Sequence, residues 1–116
     1  MRSILAIGRA LSDENRVKAL AALTEGELCM CEIVELLGLA PSTTTKHIEI
    51  LRNAALVLSR RKGRWTYVRL DDSSKSDLVC SALDWLGKSL KQDEVATEIR
   101  ERAIKLKSRS SSVCSV

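Results

Sequence analysis

Apolar residues recur along the chain first at helical and then at strand spacing. Ile4, Ile7 and Leu11 share one face of a short opening helix, and Val17, Leu20, Ala21 and Leu23 continue an apolar face up to a stop at Gly26. Ser12 is the expected N-cap of this second helix, with Asp13 and Glu14 at its positive end. Residues 27–37 predict a third helix with Ile33, Leu36 and Leu37 turned inward. After a turn at 38–40, Pro41 and Ser42 open a fourth helix over 41–54 whose inner face carries Ile48 and Leu51. The period then drops to two. Residues 57–61 and 65–70 alternate around a break at 62–64 that contains Gly63, which predicts a β-hairpin. In the long helix that follows, Val79, Leu83, Leu86 and Leu90 repeat at i, i+4, i+7 and i+11, with a charged continuation over 93–107 through Val95, Ile99 and Leu106.

Two helices joined by a short turn and followed at once by a hairpin form a DNA reader. The expected fold is therefore mainly α, a winged helix-turn-helix with a two-stranded β-hairpin wing. Nothing later in the sequence covers the apolar face of the last long helix. A chain of 116 residues with Trp65, Trp85, Tyr67 and no Phe has little bulk for a core of its own. Both points predict a homodimer formed through the terminal helices. Residues 1–107 read as one DNA-binding and dimerisation domain, and the Ser-rich stretch 108–116, with Cys114, reads as a flexible tail.

The net charge of +4 is modest, and its placement is more telling. Between residues 46 and 69, Lys46, Arg52, Arg60, Arg61, Lys62, Arg64 and Arg69 face the single acid Glu49, which marks a phosphate-facing surface. Ser42, Thr43, Thr45, Lys46 and His47 are the outward residues of the fourth helix and the candidates for base and backbone contacts, together with Arg52. Arg60, Arg61, Lys62 and Arg64 would hold phosphates from the wing or enter the minor groove. No apolar run approaches the ~20 residues of a membrane span, and Arg9 interrupts the first apolar stretch too early for a signal peptide. The expected location is cytoplasmic. In that reducing compartment Cys29, Cys31, Cys80 and Cys114 read as thiols rather than bridges.

Cys29 and Cys31 lie at the start of the third helix, and soft thiolates select soft ions. On a regular helix, residues i and i+2 stand about 200° apart around the axis. Two thiolates on one ion at roughly 2.3 Å must nearly touch. Coordination is therefore expected to unwind residues 28–31, tilt the third helix and misplace the fourth. Cys80, at the start of the long helix, and Cys114, in the tail, are secondary candidates for a third sulfur.

The run Glu27-Leu28-Cys29-Met30-Cys31-Glu32, the stretch 16–23, the helix run Ser42-Thr43-Thr44-Thr45-Lys46-His47-Ile48 with Leu51-Arg52, and the wing Gly63-Arg64-Trp65-Thr66-Tyr67 together resemble the ArsR/SmtB family of small dimeric metalloregulatory repressors. The likeness spans residues 12–70. It implies a repressor of a metal(loid) resistance operon that binds a palindromic double-stranded operator as a homodimer. Trivalent arsenic or antimony at Cys29 and Cys31 would release it, with no organic cofactor. Three departures stand out. Val34 occupies the place of the third cysteine of the best-known arsenic sensors, the N-terminal cysteines of cadmium and lead sensors are missing, and Ala55 replaces the glycine that usually ends the recognition helix. Alternatives on the same fold are a cadmium- or lead-responsive repressor and a thiol-redox-responsive one. A thiol oxidoreductase is disfavoured, and no enzyme is expected, because no phosphate-cradling loop surrounds a cysteine and no βαβ pattern occurs.

Overall fold

The computed structural model describes residues 1–108. Six helices and three short strands follow the order α1 (Arg2–Ala10), α2 (Glu14–Leu23), β1 (Leu28–Cys29), α3 (Met30–Leu37), α4 (Pro41–Asn53), β2 (Val57–Lys62), β3 (Trp65–Leu70), α5 (Asp77–Leu90) and α6 (Glu94–Ser108). The core is aliphatic. Leu20 of α2, Leu28 of β1, Ile33 of α3, Ile48 and Leu51 of α4, and Leu56, Val57 and Val68 of the wing base have essentially no exposed surface. Ile48 and Leu51 thus point inward as their spacing predicts, and this fixes which face of α4 remains outside.

The expected hairpin is present, with β2 and β3 antiparallel and Lys62 opposite Trp65 across the turn Gly63-Arg64. Gly63 takes the positive φ of 63° there, a conformation open to glycine at no steric cost. The sheet nevertheless has three strands, in the order β1-β3-β2. Leu28 pairs with Val68, and Cys29 pairs with Tyr67. The third helix accordingly starts at Met30 and not at residue 27, because the edge of β3 draws Leu28 and Cys29 into an extended ladder.

Two further expectations are corrected. Asp13, not Ser12, caps α2: its Oδ1 accepts from the Asn15 and Arg16 amides at 2.8 and 3.3 Å. The Ser12 hydroxyl instead donates to the Arg9 carbonyl at the end of α1. The apolar stripe of α5 is also not left uncovered. The chain breaks at 91–93 and α6 folds back onto α2 and α3, while Val79 and Leu86 are buried in the protomer's own core and Leu83 and Leu90 pack against it. The exposed stripe of α5 is displaced by one position, to Leu78 and Trp85, and the adjoining α1 exposes Ile4 and Leu5. Ser108 closes α6 as its last residue, and the remainder of the expected tail, Cys114 included, lies outside the described residues.

Ala55 ends α4 in the left-handed conformation that glycine adopts most easily. It adopts φ 62°, its amide donates to the Arg52 carbonyl at 2.9 Å, and the Leu56 amide reaches the Leu51 carbonyl at 3.1 Å. This pair of bonds is a Schellman motif, built here around an alanine.

Candidate nucleic-acid interface and thiol site

Pro41 opens α4 at its first position, where the missing amide costs nothing. With Thr44, Ile48 and Leu51 buried, Ser42, Thr43, Thr45, Lys46 and Arg52 are left exposed, and His47 is half-buried at the edge of the helix. The Thr45 hydroxyl donates to the Pro41 carbonyl at 2.9 Å, so its methyl and its oxygen lone pairs are what it offers outward. A groove of about 400 Å³ runs between α4 and the wing, lined by Thr45, Glu49 and Arg52 on one side and Ser59, Arg61 and Thr66 on the other. Met30, the residue between the two cysteines, forms part of its wall.

On the wing Arg61, Lys62 and Arg64 are exposed at the hairpin tip, with Arg64 over the Trp65 ring at 5.1 Å. Arg60 differs from them. It holds Glu27 through two bonds, Nε to Oε2 at 2.9 Å and Nη2 to Oε1 at 2.7 Å, and lies over Tyr67 at 4.9 Å. The Arg60 hydrogen bonds hold the Glu27 carboxyl below the usual carboxylate range, against the opposing effect of partial burial. The Arg69 and Lys107 charges add to the lowering.

The cysteine pair sits where this sheet meets the helix-turn-helix. Cys29 is buried and is the N-cap of α3, with extended φ −71° and ψ 147°. Cys31 is half-buried in the first turn. Because Cys29 stands outside the helix, the 200° separation of a regular helix does not apply, and the two sulfurs are 2.9 Å apart. The expected unwinding of residues 28–31 is therefore unnecessary. Bridging both sulfurs by one ion at roughly 2.3 Å asks them to open by no more than ~1 Å. Glu32 supports this geometry: its Oε1 accepts the Cys29 amide at 2.7 Å, closing a capping box. Its Oε2 is buried and makes no hydrogen bond among the described residues.

Among the described residues, no group of three or more His, Cys, Asp or Glu side chains could hold a metal ion. Cys80 is exposed on α5, with its Sγ 3.1 Å from the Ser74 carbonyl. Cys29 and Cys80 are free thiols, whereas Cys31 is bonded, contrary to the expectation of unbridged cysteines, so a two-thiolate site at Cys29 and Cys31 belongs to the reduced chain. His47 is not in a ligand group either, since its Nδ1 lies 3.1 Å from Nη1 of Arg16. Arg16 and Glu32 were not among the residues singled out by pattern. Glu32 could have been found as the third residue after an N-cap. Arg16 lay inside the family-like stretch without a role.

Residues 13–59 match the family described as bacterial regulatory protein, arsR family. The chain is 39% identical over 97 residues to the arsenic resistance transcriptional regulator ArsR1 of Pseudomonas putida, covering 74% of this chain and 76% of that one. It is 36% identical over 90 residues to a cadmium resistance transcriptional regulatory protein, a CadC homolog of Staphylococcus aureus, covering 77% and 69%. In fold it is similar to HlyU from Vibrio cholerae, with TM-score 0.65 and 24% identity over 78% of this chain and 95% of that one. It is also similar to a homodimeric winged helix-turn-helix DNA-binding domain from Mycobacterium bovis, with TM-score 0.62 and 22% identity over 80% and 86%. Among the described residues no helix is long and apolar enough to cross a membrane.

Proposed function

Because the chain belongs to the ArsR family of bacterial regulatory proteins, we propose that it is a metal(loid)-responsive repressor that leaves its operator when trivalent arsenic or antimony bridges Cys29 and Cys31. The observation that carries this reading is the 2.9 Å separation of two sulfurs on the residues that join the wing sheet to the helix-turn-helix. Two thiolates displace two hydroxyls from the trivalent centre, and the third position is taken by water-derived hydroxide or a third thiol. Cys80 and Cys114 of either protomer are the candidates within the chain.

The route to DNA follows from the register. Opening the pair displaces Cys29 in β1, and β1 is held by β3 through the pairing of Cys29 with Tyr67. Tyr67 also pairs with Arg60 of β2, and Arg60 is fixed to Glu27 next to β1. The wing therefore moves with the thiols, and Met30 transmits the same displacement to the groove beside α4. Coupling of ~1–3 kcal/mol weakens operator affinity about 5- to 150-fold.

The DNA-bound form is a homodimer on a palindromic site, with half-sites about one turn, ~34–36 Å, apart. Leu78 and Trp85 of α5, with Ile4 and Leu5 of α1, supply the apolar surface for the second copy. A reporter driven by the native promoter, exposed to graded arsenite, antimonite, cadmium, lead and peroxide, tests the inducer. Derepression at the lowest concentrations by arsenite and antimonite supports the reading. First response to cadmium or lead assigns the pair to those ions. Response to peroxide alone, reversed by reductant, assigns it to thiol oxidation.

A further inference from the structure

Arg16 belongs to the first turn of α2 and is only 8% exposed, yet its guanidinium makes no ion pair among the described residues. Its three bonds go elsewhere. Nε donates to the Ala10 carbonyl at 3.0 Å, Nη2 donates to the Arg9 carbonyl at 2.8 Å, and Nη1 lies 3.1 Å from Nδ1 of His47. The first satisfies the Ala10 carbonyl at the end of α1, which a helix terminus leaves open, and the second adds to an Arg9 carbonyl that already accepts from Ser12. The third reaches across to the recognition helix.

A guanidinium has five donors, no acceptor and a charge that persists at any accessible pH. Facing it, Nδ1 of His47 has to be the acceptor. In the neutral ring the single proton is then on Nε2, because each imidazole nitrogen takes the role that the other leaves. Nε2 has no hydrogen-bond partner among the described residues, and the ring is half-exposed beside Thr43 and Lys46. A donor is thus presented at the flank of α4 that faces α2, which borders the sugar-phosphate backbone when the outward face of α4 enters a major groove.

We propose that Arg16 is a positioning residue for DNA binding: its guanidinium donates to Nδ1 of His47, which locks the ring in the Nε2–H tautomer, and His47 donates that Nε2 hydrogen to a phosphate oxygen of the operator. The inference rests on the DNA-binding part of the proposed function and is independent of the inducer. Arg16 also anchors the end of α1, so the same guanidinium ties the helix that exposes Ile4 and Leu5 to the reading helix.

The test combines operator binding by the metal-free protein with long-range proton–nitrogen NMR spectra of the imidazole, for the wild type and for Arg16→Gln, His47→Gln and His47→Asn. A glutamine amide nitrogen reaches the position of Nε2, whereas an asparagine amide reaches only that of Nδ1. The expected result is an Nε2–H ring in the wild type and mixed tautomers in Arg16→Gln. Affinity should fall about tenfold per half-site in Arg16→Gln and His47→Asn, with substantial recovery in His47→Gln. The loss should be equal on operators that differ in base sequence under α4, as a phosphate contact requires. An Nδ1–H ring in the wild type, or wild-type affinity in His47→Asn, overturns the inference, and the His47 variants decide it even if Arg16→Gln fails to fold. The tautomer readout needs no DNA. A wrong tautomer therefore rejects the Arg16 assignment alone, whereas a wild type that ignores its operator rejects the DNA-binding reading and this inference with it.

Discussion

Ala55→Gly should stabilise the protein, and the size of the effect follows from one dihedral angle. Ala55 sits at φ 62° in the Schellman turn that closes α4, where an L residue with a Cβ pays roughly 1–2 kcal/mol. Glycine removes that strain but brings roughly 0.5–1 kcal/mol of extra unfolded-chain entropy. The Ala55 methyl is exposed, so its deletion leaves no cavity. The net gain is about 0.5–1 kcal/mol, or a rise in Tm of roughly 2–5 °C for a chain of this size. Differential scanning calorimetry at fixed protein concentration measures it, with Ala55→Val as the opposing control because a β-branched side chain tolerates positive φ least. Operator affinity should not change, since the two chains end α4 in the same geometry. A Tm that falls in Ala55→Gly, or that rises in Ala55→Val, refutes the reasoning, because either result means residue 55 is not left-handed in solution.

Glu27→Gln removes a carboxylate whose pKa is depressed in the fold, so the stabilisation it supplies is complete above its ordinary value near 4.5 and disappears as pH falls through the lowered folded value. Melting curves across that acidic window should fall less steeply for the variant than for the wild type, and equal slopes would discount the Arg60 contact. Lys62→Ala at the wing tip should flatten the logarithmic salt dependence of operator binding by about one unit per half-site, while Arg60→Ala, already committed to Glu27, should flatten it less. Trp85→Glu places a charge on the exposed stripe of α5 and should shift the protein to monomer in sedimentation velocity, with operator binding lost in parallel; a stable dimer would move the interface elsewhere.

What could be read from the chain was whatever a local period encodes. The inward faces of α3 and α4 followed from the spacing of Ile33, Leu36, Ile48 and Leu51, and the hairpin from alternation around Gly63. β1 escaped because two residues carry no period; Leu28 and Cys29 are a strand only by virtue of their pairing with β3. That omission had a chemical cost. Treating Cys29 as helical put the two thiols on opposite sides of an axis, when its extended backbone brings the sulfurs together. The α5 stripe was misassigned for a related reason, since a helical face reveals that something covers it and not what. Val79 and Leu86 found their cover within the protomer. The contact from Arg16 to His47 joins residues 31 positions apart and leaves no mark in either local pattern.

The central claim is that an ion bridging Cys29 and Cys31 weakens operator binding, and anisotropy of labelled promoter DNA measures it most directly. Reduced wild-type protein, Cys29→Ser and Cys31→Ser are each bound to the DNA and titrated with arsenite. Release of the wild type, with affinity lowered about 5- to 150-fold, and retention of both variants on the DNA is the predicted result. Release of the serine variants at the same arsenite concentration, or a wild type that stays bound, would contradict the claim.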